Sequence, residues 1–264
     1  MKNPKPFFEQ RRERRGVLRA GLAAAAASSG LAGCDALSSN ETAVAVLRSA
    51  ERLSNTVHRA LGRRAMAQEF SPAEIAPTFR PNGTTMPVGE SYAAMLANRF
   101  ADWRLTVDGL VAKPLELSLA QLQAMPTRTQ ITRHDCVEGW SCIGQWKGVR
   151  LSHVLNLAQV KPGAKYVVFH CLDRMQEDDE DSLYYGSVDL DDAFHEQTLL
   201  AWELNGKPLP VENGAPLRAR IERQLGYKQP KYLQRVQVVA EFGDIGAGKG
   251  GYWEDQGYNW YGGI

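Results

Sequence analysis

The chain has 264 residues, 44% of them hydrophobic and 23% charged, which is enough apolar material for one large core and too much for a disordered chain. The formal net charge is +1, but residues 1–33 alone carry seven basic and two acidic side chains, so the remainder stands at −4. Without a basic excess there is no electrostatic footprint for nucleic acid, and that class of partner is excluded.

The first forty residues differ in kind from the rest. Residues 11–19, RRERRGVLR, precede an alanine-rich run at 21–33 ending Leu31-Ala32-Gly33-Cys34. That run is shorter than the ~20 apolar residues that span a bilayer. A basic stretch, a short apolar stretch and small residues before a cut describe an export signal. Arg14-Arg15 followed by Leu18 resembles the twin-arginine variety, which carries proteins that fold before export. Leu-Ala-Gly-Cys fits a lipoprotein processing site, making Cys34 the lipidated first residue of a periplasmic, membrane-anchored protein. The alternative is an ordinary cleavage site beside a cysteine. The expected division is a signal at 1–33, a lipid-attachment cysteine with a helical arm and linker at 34–78, and one catalytic domain at 79–264.

In chain order, Val46, Ala50, Leu53, Val57 and Leu61 recur at helical spacing and predict a helix over 41–68. Residues 71–89 have the Pro, Gly and Thr density of an extended loop, containing Phe79-Arg80-Pro81-Asn82-Gly83-Thr84-Thr85. Trp103, Leu105 and Val107 alternate before Asp108-Gly109, a hairpin-turn signal. Ser118 can cap a short helix that Pro126 ends. Strands are expected at 129–132, 166–169, 198–203 and 236–239, a helix at 151–157 and a turn at Asn205-Gly206. The acidic run 176–181 reads as a solvated loop, or as a docking surface for a basic redox partner. No internal repeat is visible, and the tail from 250 to 264 holds two tryptophans and three tyrosines among glycines.

Residues 133–146, RHDCVEGWSCIGQW, carry the chemistry. Arg133 favours thiolate over thiol at Cys136, and Trp140 and Trp146 supply apolar walls, a setting that suits a soft metal. A free cysteine is also commonly a small buried hydrophobe, and a Cys136–Cys142 disulfide fits the oxidising compartment. Spacing alone leaves all three open.

Five blocks in one order together resemble the sulfite oxidase family of molybdopterin-dependent oxidoreductases: RHDCVEGWS at 133–141, LLAWELNG at 199–206, NGAPLR at 213–218, GYKQPKYL at 226–233 and YWEDQGY at 252–258. The resemblance covers roughly 79–264 and implies a mixed α/β pterin-binding domain. It implies that Cys136 ligates molybdenum beside the dithiolene sulfurs of one molybdopterin. Asn213 and Arg218 would hold the pterin or line the substrate mouth, and Gln229, Pro230 and Lys231 would contact its phosphate end. Cys171 and Asn82 fall at pterin-lining positions, while Arg80 sits one residue away from the family's anion-binding arginine. Tyr258 matches an active-site tyrosine, with Arg218 as its catalytic partner in stabilising an anion. Glu138 would orient the loop, and His134 and His153 read as structural.

The reaction implied is oxygen-atom transfer on a small anionic or sulfur-containing substrate. Sulfite-type oxidation is the first expectation, with electrons passed to an exported cytochrome or a membrane quinol system. Sulfoxide reduction of the methionine sulfoxide type is the alternative. Tyr258 leans toward the former, and Asn213, in place of a histidine common in that branch, toward the latter. A lipid-anchored binding protein without a cofactor is a third reading from a different class.

Overall fold

The computed structural model describes residues 40–264 apart from 177, 180 and 181. The chain falls into two units, Met1–Thr56 and Val57–Ile264. Residues 1–33 and Cys34, with the export and lipidation expectations attached to them, lie outside the described residues, as do three positions of the acidic run. Among the described residues no helix is long and apolar enough to cross a membrane.

Helix α1 (Glu41–Gly62) stops six residues short of the expected end. The chain from Ala67 on has better partners than another helical turn. The Gln197 side chain donates to Ala67 O at 3.0 Å and accepts from its N–H at 2.7 Å, and Phe70 N–H donates to Ile131 O at 2.9 Å. In the last turn of α1, Arg59 bonds Asp189 and Asp192, and Arg223 also bonds Asp192 at 2.6 Å. Burial alone would raise the Asp192 carboxyl, but Arg59 and Arg223 outweigh it and hold its pKa below the ordinary value.

The second unit is built on two sheets. The first has the order β2–β1–β10–β5–β6, from β1 (Arg104–Gly109), β2 (Leu115–Ser118), β5 (Tyr166–Arg174), β6 (Leu183–Asp189) and β10 (Leu233–Val239). β10 runs parallel to β1 and antiparallel to β5. Leu105 and Val107 of β1 meet Val236 and Val238 of β10 in the main core, all with no exposed surface. The expected turn at Asp108-Gly109 is instead the end of β1, and the reversal into β2 falls at 110–114. Gly109 sits at φ +85° against Val238, whose carbonyl oxygen would lie 2.2 Å from any Cβ there, so the glycine permits a close strand approach rather than a turn.

The second sheet is β3–β4–β7–β8, from β3 (Thr127–Asp135), β4 (Ser141–Arg150), β7 (Leu199–Leu204) and β8 (Lys207–Pro208), with β9 (Arg218–Arg220) also pairing β7. Asn205 at φ +51° and Gly206 at φ +73° make the expected tight reversal between β7 and β8. A smaller apolar cluster, Phe79, Cys142, Trp146, Ala201, Leu204 and Leu209, packs on this sheet.

Five short helices complete the described α structure: α2 (Glu90–Ala97), α3 (Leu119–Gln123), α4 (Leu151–Ala158), α5 (Leu190–Ala193) and, in the tail, α6 (Tyr252–Asp255). Ser118 caps α3 as expected, its side chain accepting from Gln121 N–H while the Gln121 side chain accepts from Ser118 N–H. α4 buries Leu151, Val154, Leu155 and Ala158, the i, i+3, i+4, i+7 stripe that places it against the main core.

Candidate active site

β3 and β4 form a hairpin whose last pair is Asp135 and Ser141. The tip between them carries Cys136. Its N–H donates to Trp140 O at 2.9 Å, Gly139 N–H donates back to Cys136 O at 3.1 Å, and Gly139 takes the left-handed conformation the return requires. Trp140 Nε1 donates to Glu138 Oε2 at 2.9 Å, so Glu138 does order the loop. Cys136 is half-buried, and Cys136, Cys142 and Cys171 are all free thiols, which removes the disulfide alternative. Trp146 is not a wall beside the thiol. It is fully buried, and the Arg220 and Arg218 guanidiniums lie 4.3 and 5.4 Å from its ring centroid.

Those arginines belong to β9, and both are fully buried. Arg220 is paired through two hydrogen bonds with Glu222, at 3.0 and 2.6 Å, and Gln130 also donates to Glu222 at 2.9 Å. Among the described residues Arg218 pairs with no carboxylate. It donates to Asn213 O at 3.3 Å and to Asn82 Oδ1 at 3.1 Å, and its Nε has no partner. Lys231 reaches the carbonyls of Asn82 at 2.5 Å, Glu212 at 3.1 Å and Thr84. The structure therefore brings Asn82, Asn213, Arg218 and Lys231 together, and the loop around Asn82 is clamped onto the Lys231 ammonium.

Asn82, Gln229, Pro230 and Lys231 line one cavity of about 60 Å³, together with Asp173 and Trp253. The Gln229 amide nitrogen is spent internally on Gln224 O at 2.9 Å and Ile221 O at 3.4 Å. Cys171, two residues before Asp173 on β5, is buried and lines a separate cleft of about 630 Å³. Burial and then Asp173 push its thiol up, against the pull of Lys231. Tyr258 does not line that cavity itself: it is 43% exposed, its ring 5.3 Å from Trp253 and 5.4 Å from Tyr227. Arg80 is exposed, its guanidinium 4.9 Å from the Trp140 ring.

Sequence reasoning missed Arg220, Glu222 and Asp173. The signal for the first two was the alternation Arg218, Arg220, Glu222 on one side of an extended segment, where charges cannot be buried without a reason. Asp173 is buried with Oδ1 unpartnered, and its carboxyl is raised to about 6 by burial against the opposing pull of Lys231. His134, read as structural, is fully buried between the Phe79 and Trp140 rings, and burial followed by Arg218 and Arg220 keeps its pKa well below the ordinary value.

The sequence pattern of the family described as "Oxidoreductase molybdopterin binding domain" matches residues 93–244. The chain belongs to that family. The protein is thus a molybdopterin-dependent oxidoreductase with the mixed α/β fold expected. Asn82 and Tyr258 lie outside the matched residues. The "Putative protein-methionine-sulfoxide reductase subunit YedZ1" of Azospira oryzae is 38% identical over 237 residues, 88% of this chain and 81% of that protein. The protein-methionine-sulfoxide reductase catalytic subunit MsrP of Campylobacter jejuni is 31% identical over 66% of this chain and 61% of its own length. MsrP of Xanthomonas campestris is 37% identical over 53% of this chain and 46% of its own. The chain thus spans about half to three fifths of the two MsrP proteins. Among solved structures, the sulfane dehydrogenase SoxCD of Paracoccus pantotrophus shares 21% identity over 68% of this chain and 46% of that one, with a TM-score of 0.49.

The residues present fit the molybdopterin of this family. Asn213 Nδ2 and Arg218 Nε are buried donors with nothing to bond. Burial, then Arg220, depresses the Arg218 guanidinium to about 9, and burial, then Arg218, depresses the Lys231 ammonium to about 7. Two such cations call for an anion, which the pterin phosphate and dithiolene supply. Among the described residues no three His, Cys, Asp or Glu gather as a metal site. A metal brought by the cofactor would draw most of its ligands from that cofactor, and of the three free thiols Cys136 is the one that is not buried.

A pH dependence follows. Asp173, Cys171 and Glu212 oppose the depression of Lys231 by burial and Arg218 but do not cancel it. An anion at Lys231 restores the ammonium, so above pH 7 binding takes up a proton. Cofactor retention should fall with rising pH between 7 and 9, by up to about tenfold per unit, and this group adds no pH dependence below 7. The cofactor-free protein should show the opposite sign: the unfolded chain binds the extra proton in that window, so stability rises with pH. Molybdenum analysis after dialysis across this range checks the first sign, and flat or rising retention would refute it.

Proposed function

We propose that the protein is an exported molybdopterin-dependent reductase that removes oxygen from sulfoxides of the methionine sulfoxide type. The relatives that match the chain over half its length or more carry that name, which favours the alternative direction over sulfite oxidation. The observation that carries the choice is the placement of the two residues that leaned opposite ways. Asn213 stands in the buried cluster with Arg218, whereas Tyr258 lies exposed beyond Trp253. The reading as a cofactor-free binding protein falls with family membership.

When bound, the cofactor supplies a centre that passes an oxygen atom and two electrons. Sulfoxide reduction consumes two electrons and two protons and yields sulfide and water. Cys136 anchors the metal from the hairpin tip. Arg218 and Asn213 hold the anionic part of the cofactor with buried donors, where each hydrogen bond is strong because water is excluded. Lys231 adds charge and pins the Asn82 loop beside the cavity that both residues line. Electrons arrive from an external carrier, a cytochrome or a membrane quinol system. The twin-arginine pattern and Cys34 support export and a lipid anchor in the periplasm, which would keep the enzyme near a membrane donor.

Purified holoprotein supplied with methionine sulfoxide and a reduced viologen should turn over at least about tenfold faster than with sulfite and a cytochrome acceptor. The reverse ratio would return the direction to sulfite oxidation.

A further inference from the structure

His134 lies on β3, two residues before Cys136, with no exposed surface. Its Nδ1 is 3.0 Å from Arg220 Nη1 and 3.4 Å from Gln229 Oε1. A guanidinium nitrogen can only donate, so at the shorter contact Nδ1 offers its lone pair and the proton sits on Nε2. That Nε2–H is buried and has no partner. It faces Gly226, where any Cβ would come within 2.6 Å of it, and Gly226 itself lines the cavity of Asn82 and Lys231. Because Gly226 has no Cβ, the imidazole edge packs directly against a residue that lines that cavity.

An unpaired buried donor costs about 1–3 kcal/mol, so three of them on elements that meet at one place require a common explanation. Asn213 Nδ2, Arg218 Nε and His134 Nε2 are such a set, on a turn, on β9 and on β3, tied together by Arg218 bonding Asn213 and by Arg220 bonding His134. We propose that His134, through Nε2–H, is a third hydrogen-bond donor to the bound molybdopterin, beside Asn213 and Arg218. Arg220 and its partner Glu222 set the tautomer, so this ion pair acts on the cofactor through the histidine. The inference rests on the family's cofactor and not on the direction of oxygen transfer, so the loading test and the sulfoxide assay can fail separately.

The test compares His134→Phe and His134→Gln, each purified both from a host that makes molybdopterin and from one that does not. Phenylalanine keeps an aromatic ring between Phe79 and Trp140 but has no donor, whereas the glutamine amide nitrogen reaches the position of Nε2. Molybdenum and pterin content should fall about tenfold in His134→Phe and recover to within about twofold of the parent in His134→Gln. The melting temperature of cofactor-free His134→Phe should stay within about 4 °C of the parent. Full loading of the phenylalanine variant would overturn the proposal. So would equal losses in both variants, or a larger fall in the cofactor-free melting temperature, which would make the residue merely structural.

Discussion

Cys136→Ser should purify as a folded protein with almost no molybdenum, and its turnover should drop by more than about a thousandfold. The hairpin tip is held by the backbone bonds between Cys136 and Trp140 and between Gly139 and Cys136, and by Glu138 accepting from the Trp140 indole. None of these uses the sulfur, so its loss leaves the loop in place. A serine hydroxyl keeps its proton at neutral pH and is therefore a much weaker ligand than a thiolate. Cys142→Ser is the control: that thiol points at Thr78 O at 3.6 Å inside the small apolar cluster, and its replacement should leave the metal content unchanged. Metal analysis with circular dichroism separates the outcomes, and full metal in Cys136→Ser would remove the proposed ligand.

Glu222→Ala should produce the largest loss of stability. The Arg220 and Glu222 side chains have no exposed surface, and their two hydrogen bonds are supplemented by Gln130. The pair as a whole contributes little over an apolar substitute, but removing one member strands the other charge in the interior, at a cost of about 3–5 kcal/mol. Arg218 lies close enough to repel that stranded charge, which adds to the penalty. For a chain of this size the melting temperature should fall by roughly 10 °C. Bound cofactor brings negative charge to the same cluster, so the fall should be greater in cofactor-free protein than in holoprotein. Scanning calorimetry on both forms checks the ordering, and an equal fall in each would show that the cofactor does not interact with these cations.

Sequence patterns that act locally were readable. The α4 stripe, the Ser118 cap and the Asn205-Gly206 reversal each depend on residues within one turn or one hairpin, and each formed as expected. Asn213, Arg218 and Lys231, which the structure gathers around Asn82, stand in short blocks of fixed order. What escaped depends on distant partners. α1 ends early because Gln197, some 130 residues later, captures Ala67. Gly109 looks like a turn until Val238 arrives beside it. Trp146 reads as a wall for Cys136 because they are near in sequence, yet its place along β4 buries it beneath Arg218 and Arg220. The stacking of Tyr258 on Trp253 likewise depends on how the tail folds over β6.

β10 is the middle strand of its sheet, inserted between β1 and β5, although it is translated after both. Until Leu233–Val239 emerges from the ribosome, the two halves of that sheet have no shared neighbour and the apolar faces of β1 and β5 stay open. Lys231 sits two residues upstream, so the cavity it lines closes in the same event. Any group held by that cavity would have to wait for β10, and a nascent chain must be kept from aggregating until this strand has emerged.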